Sequence, residues 1–213
     1  VLIFSLEMAR NELIAKSVSR LTLIEDMERN GSTAHAKTTR GILTGTRYAD
    51  YTQTERELIQ YAISAYGKYA KNIYITEGIG NVGVDEIRDK VQKHIKLTGK
   101  APVVVIDYLQ IIAPADMRAT DKQNTDKAVL ELKRLSRDYG IPVIGISSFN
   151  RDNYTAPVNL ASFKESGAIE YSSDVLIGLQ YEGMDYQEGE AEKAREKRIR
   201  ELMKQTIADG KSG

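Results

Sequence analysis

Val103-Val104-Val105-Ile106-Asp107-Tyr108-Leu109-Gln110 sets four consecutive β-branched apolar residues directly before an acid. The run shows no polar alternation, so both faces must be buried, as in a strand inside a parallel sheet. A carboxylate at the end of such a strand stands on a rigid backbone at the carboxyl edge of the sheet, where α/β domains bind ligands. Asp at a strand end also serves as a turn or helix cap, so both readings stand at this point.

Outward from this run, strands and helices alternate. Val1 to Ser5 is a continuous apolar run and reads as a buried strand; so do Ile73 to Thr76, Ile141 to Ile146 and Val175 to Leu179. Between them, Leu13, Ile14, Val18 and Leu21 recur at helical spacing and predict a helix from about Arg10 to Glu28. Leu58, Ile59, Ala62, Ile63 and Tyr66 mark a helix starting near Thr54, and Val84, Ile87, Val91 and Ile95 another. Val129, Leu132, Leu135 and Tyr139 form the last such stripe, closed by Gly140 as a C-cap. Thr33 to Gly45 reads as a short helix and turn, and Pro114 to about Gln123 as a polar loop. The pattern predicts an α/β layered domain with a mainly parallel sheet flanked by helices over residues 1–181. From 182 to 213 the chain is dominated by Glu, Lys and Arg and reads as a charged helical or partly ordered tail. The first residue is Val and the chain opens inside its own core, which leads us to expect that a preceding strand, loop and helix are missing.

Composition narrows the chemistry. The sequence holds no cysteine and two histidines, His35 and His94, in no ligand-like spacing, which argues against disulfides, thiolate metal sites and histidine-based triads. No apolar run approaches the ~18–20 residues of a membrane span, and a cytoplasmic protein is expected. Thirty basic and thirty acidic residues cancel. The balance argues against a broad basic face for coating nucleic acid, and any contact with one is expected to be local or shared among subunits.

Polar residues just beyond the strands are the candidate site. Glu7 follows the first strand by two residues, where a carboxylate can orient and deprotonate a water attacking a phosphate; the plainer reading is an acid favouring a helix dipole. Asp107 can hold Mg²⁺ through water, the shape of a Walker B element. Ser147, Ser148, Asn150 and Arg151 follow the strand ending at Ile146; they can sense a terminal phosphate, or simply close a turn. Lys164-Glu165-Ser166-Gly167 joins a cation to a flexible glycine, which suits a loop on a phosphodiester backbone. A competing signal is Gly78-Ile79-Gly80-Asn81-Val82-Gly83, a literal G-x-G-x-x-G that would make a dinucleotide-binding domain. Polar Thr76 and Glu77 separate it from the apolar strand, and it leaves the other strand-end residues unexplained.

As a set, four blocks resemble the C-terminal RecA-like ATPase domain of the DnaB-type replicative DNA helicases. They are Phe4-Ser5-Leu6-Glu7-Met8, Val105 to Gln110, Ile146-Ser147-Ser148-Phe149-Asn150-Arg151, and Phe163 to Glu170 with Ser173-Asp174. The resemblance implies a P-loop NTPase core working as a hexameric ring that translocates on single-stranded DNA with ATP and Mg²⁺. It further implies primase and helicase loader as partners. On it, Glu7 activates water, Asp107 organises Mg²⁺, Ser147, Ser148 and Arg151 sense the nucleotide, and Lys164, Glu165 and Gly167 meet the DNA backbone.

The departures are as informative. No G-x-x-x-x-G-K-[ST] occurs, so the phosphate-cradling loop is not in this sequence. Ser148 stands where the family usually has Gln, and Lys164 where it usually has Arg, which keeps charge but loses the guanidinium fork. These changes mark a divergent member, of the sort a phage or mobile element carries. Another RecA-like ATPase, such as a recombination mediator, or a RecA-like module that no longer hydrolyses ATP, are the alternatives.

Overall fold

The apolar run at the start forms strand β1, Leu2–Ser5, and pairs in parallel with β2, Tyr74–Glu77, from Leu2 opposite Tyr74 to Ser5 opposite Glu77. The computed structural model describes residues 1–78, 81–149, 157–163, 167–180, 183–185, 187 and 189–208. Contacts divide the chain into two units, Val1–Ile79 and Gly80–Gly213.

In the first unit, Leu2, Phe4 and Leu6 are buried, as a continuous apolar strand requires. Helix α1, Arg10–Asn30, is anchored to β2 at its first residue: the Arg10 amide donates to the Glu77 carboxylate and its guanidinium to the Ile75 carbonyl. It ends at Gly31, whose φ of 61° is the left-handed conformation that glycine adopts without a Cβ penalty. The short α2, Thr39–Leu43, leads to α3, Gln53–Ala70, opened by a capping box in which the Thr52 amide donates to Glu55 Oε2 (2.7 Å).

The second half of α1 departs from the apolar stripe. It buries Thr22, Glu25 and Asp26 while Leu23, Ile24 and Met27 stand exposed. The reason is a polar network. Asp26 accepts from the His35 and Ala36 amides (2.8 and 3.1 Å), and the Lys37 amide donates to Thr22 Oγ1 (3.0 Å). Hydrogen bonds to the 35–37 segment therefore set which face of the helix turns inward.

In the second unit, α4, Val84–Thr98, and α5, Asp121–Tyr139, accompany β3, Val104–Asp107, and β4, Val143–Gly145, which pair in parallel. Val104, Ile106, Ile87, Val91 and Leu135 are fully buried. Arg88 of α4 donates to Asp138 of α5 (2.8 Å), and that contact raises the Arg88 pKa. Gly140 closes α5 in the left-handed conformation (φ 60°), as its place after Tyr139 predicts.

Two strands differ from expectation. The run Ile141 to Ile146 yields a ladder of only three residues, with Ile144 and Ile146 exposed. Val175 to Leu179 forms no strand, and Val175, Ile177 and Leu179 are 75%, 77% and 82% exposed. A cavity of about 680 Å³ is lined by residues of both segments, among them Val143, Ile144, Val175 and Ile177. Short helix α6, Gly167–Ser172, precedes this segment. Helix α7, Glu192–Ala208, follows it and buries Ile199, while Arg198 clasps Glu190 with two hydrogen bonds (2.8 and 2.7 Å).

Gly145 is required by a close approach. A Cβ there would lie 2.9 Å from Leu109 Cδ2, with two further Leu109 carbons at 3.1 Å. Gly145→Val is therefore expected to destabilise the second unit by about 1–3 kcal/mol through overpacking. A thermal midpoint unchanged from wild type would contradict this account of the β3–β4 contact.

Candidate functional site

Glu7 is placed by its neighbours. Leu6 is buried and the Ser5 hydroxyl donates to the Met8 carbonyl (2.6 Å), which closes a bend and leaves Glu7 exposed between β1 and α1. It precedes the helix instead of sitting in its first turn, where Glu12 returns to the Ala9 amide (3.0 Å). Among the described residues no hydrogen bond or ion pair engages the Glu7 carboxylate.

Asp107 ends β3 in the second unit, half-buried, with Ile106 beneath it fully buried. Its carboxylate is likewise unengaged among the described residues. A free, rigidly mounted hard-oxygen donor fits Mg²⁺, which keeps several waters and takes one or two carboxylates alongside phosphate oxygens. Among the described residues no group of three or more His, Cys, Asp or Glu side chains forms a dedicated cation cage.

The structure joins the end of β3 to the end of β4. The Leu109 amide donates to the Ile146 carbonyl (2.9 Å), and Gln110 Nε2 donates to Ser147 Oγ (2.8 Å) and the Ser148 carbonyl (3.3 Å). Ser147 and Ser148 are thus gathered beside the Asp107 turn, through a residue that spacing did not single out. A contact across 37 positions has no local signature, because parallel strand ends meet only after the intervening helix returns the chain.

The remaining predicted positions divide. Arg151, Lys164 and Glu165 lie outside the described residues. Gly167 opens α6, and the next amide, Ala168, donates to Asp126 Oδ1 of α5 (3.2 Å). The loop before α5 has a set shape: Asn124 accepts from the Asp116 amide (3.0 Å) and donates to its carbonyl (2.9 Å), while Met117 is 86% exposed. Sequence reading noted this loop's polarity but assigned it no role.

The glycine-rich signal resolves on charge. β2 runs through Glu77, so the glycines follow a strand directly, and α4 starts straight after Gly83. Yet Glu86 Oε2 accepts from the Gly83 amide (2.9 Å), and Asp85 and Glu86 both occupy the first turn. A dinucleotide pyrophosphate needs that helix start for itself and would meet two carboxylates there.

The model of the DnaB-like helicase C-terminal domain family matches residues 1–211. The chain belongs to this family. The replicative DNA helicase DnaB of Pasteurella multocida is 27% identical over 203 residues, covering 91% of this chain and 38% of that protein. A probable replicative DNA helicase of Trieres chinensis is 25% identical over 187 residues, covering 84% and 36%. The chain therefore spans well under half the length of these curated relatives. Among solved structures, a DnaB-like replicative helicase described with its interactions with primase superposes with a TM-score of 0.66 at 24% identity, covering 81% of this chain and 38% of that one. A solved ATPase domain gives 0.64 at 22%, covering 81% and 56%. The RecA-like parallel α/β fold and the resemblance to the DnaB-type helicases, both expected from the strand-end blocks, are borne out. No helix among the described residues is long and apolar enough to cross a membrane.

Proposed function

We propose that this chain is part of the motor of a replicative DNA helicase, a hexameric ring that couples ATP hydrolysis to movement along single-stranded DNA in the cytoplasm. The family match across residues 1–211 carries the reading. In it, Asp107 holds Mg²⁺ through water and Glu7 orients and deprotonates the attacking water. Ser147, Ser148 and Arg151 respond to the terminal phosphate. Lys164, Glu165 and Gly167 contact the DNA backbone. Primase and a helicase loader are the expected protein partners. The zero net charge suits a ring, which places a few contacts from each subunit around one strand.

The phosphate end of the site is not encoded in these 213 residues, since no G-x-x-x-x-G-K-[ST] occurs. The chain by itself is therefore expected to show no ATP hydrolysis above background in a phosphate-release assay with Mg²⁺ and single-stranded DNA. A natural protein that carries this chain behind a phosphate-binding loop should hydrolyse ATP and unwind a forked duplex. Robust hydrolysis by the chain alone would contradict the missing-loop argument, and an intact protein inert in both assays would overturn the helicase reading.

A further inference from the structure

Gln110 is the most informative polar side chain that the proposed chemistry does not use. Its amide orientation is fixed by its surroundings. The Ser148 carbonyl can only accept, so the nitrogen must face it, and the same nitrogen donates to Ser147 Oγ at 2.8 Å. Among the described residues, the Gln110 oxygen is then buried without a partner. A buried, unpaired acceptor destabilises the fold, so holding the turn together does not by itself account for a glutamine here.

The consequence lies at Ser147. A hydroxyl that accepts from a neighbouring N–H keeps its own hydrogen for donation. Among the described residues, the other acceptor near it is the carbonyl of the next residue, at a long 3.3 Å. Ser147 is half-buried just past β4, at the carboxyl edge where parallel α/β sheets receive ligands, beside the turn that carries Asp107.

We propose that Gln110 is a positioning residue that presents the Ser147 hydroxyl as a hydrogen-bond donor to a phosphate oxygen of the nucleotide. The assignment rests on the ATPase reading above. It names a group three residues beyond Asp107 that ties the metal end of the site to the phosphate-sensing end, through one amide that donates and cannot be replaced by a group that accepts.

The test uses the intact protein, with steady-state ATP hydrolysis in the presence of single-stranded DNA and thermal denaturation measured side by side. Gln110→Met keeps the volume and removes both hydrogen bonds. It should lower kcat about five- to tenfold, with KM for ATP changed by less than about twofold. Gln110→Glu is the same size but reverses the polarity: its carboxylate accepts the Ser147 hydrogen, so it should be as slow as the methionine variant. Ser147→Ala should match them, Ser147→Thr should restore the rate, and the Gln110→Met, Ser147→Ala double variant should be no slower than either single one. Wild-type kcat in both Gln110 variants, additive losses in the double variant, or losses that simply follow the thermal midpoint would overturn the inference and leave the helicase reading intact. A wild-type protein without hydrolysis would overturn that reading and this inference together.

Discussion

Glu7→Gln in the intact protein is expected to reduce ATP turnover by roughly 10²- to 10⁴-fold while nucleotide binding is largely preserved. The substitution keeps the size, but removes the negative charge and with it the ability to take a proton. Glu7 stands exposed on the bend between β1 and α1, and nothing among the described residues engages its carboxylate, so folding makes no evident use of the charge. A helix-dipole role predicts the opposite pattern. The thermal midpoint would then shift by an amount worth about 0.3–1 kcal/mol and turnover would survive. The two are separated by measuring kcat, nucleotide affinity and thermal stability on one preparation. Equal loss of binding and turnover would remove Glu7 from the role of base, and an unchanged kcat would remove it from the site.

The legible parts of this molecule are those where local physics and tertiary context agree. Val104 and Ile106 are fully buried and Val103 and Val105 half-buried, so the apolar run and its terminal Asp107 can be read directly as a strand and its end. The end of α5 at Gly140 is visible because the chain supplies its own cap there. The capping boxes of Thr52 with Glu55 and Thr120 with Gln123 go unread, and the start of α5, at Asp121, falls within the stretch that reads as a polar loop. Legibility stopped where long-range partners decide. Val175 to Leu179 has the composition of a strand, but a strand exists only when a ladder accepts it, and β4 offers three residues. The same limit hid Gln110, whose role depends on serines 37 and 38 residues further along. Glu7, Asp107 and Ser147 stand as candidates because strand ends are where α/β folds place chemistry. The link between Asp107 and Ser147 could not.

Asp26 shows the second failure of local reading and carries the largest expected effect on stability. Composition alone would put the apolar Leu23 and Ile24 in the core, yet α1 leaves them exposed and turns a fully buried carboxylate inward. One of its oxygens accepts the His35 and Ala36 amides, and the other accepts Asn30 Nδ2 (2.7 Å) and lies 3.2 Å from His35 Nδ1. Asp26→Ala orphans these donors together and should cost about 2–4 kcal/mol. Asp26→Asn should be milder, at about 1 kcal/mol, because its oxygen can serve the two amides while its nitrogen faces Asn30 and His35, both of which can turn an acceptor toward it. Acid should reveal the same network. Burial by itself would raise the Asp26 pKa, but hydrogen bonds from Asn30 and His35 outweigh it and hold the pKa below the ordinary carboxylate value. Glu55, gripped by Lys37 and the Thr52 amide, is lowered from 4.5 to about 2. Both carboxylates bind a proton less readily folded than unfolded. Their contribution is therefore complete above the unfolded pKa and is lost as pH falls through that value toward the folded one. Thermal midpoints should hold steady near neutrality and drop between pH 4.5 and about 2, the window set by Glu55. The Asp26→Asn protein should start lower and fall less steeply, because one of the two titrating groups is gone. Identical slopes in the two proteins would mean that Asp26 does not link the 35–37 segment to α1 as its hydrogen bonds indicate.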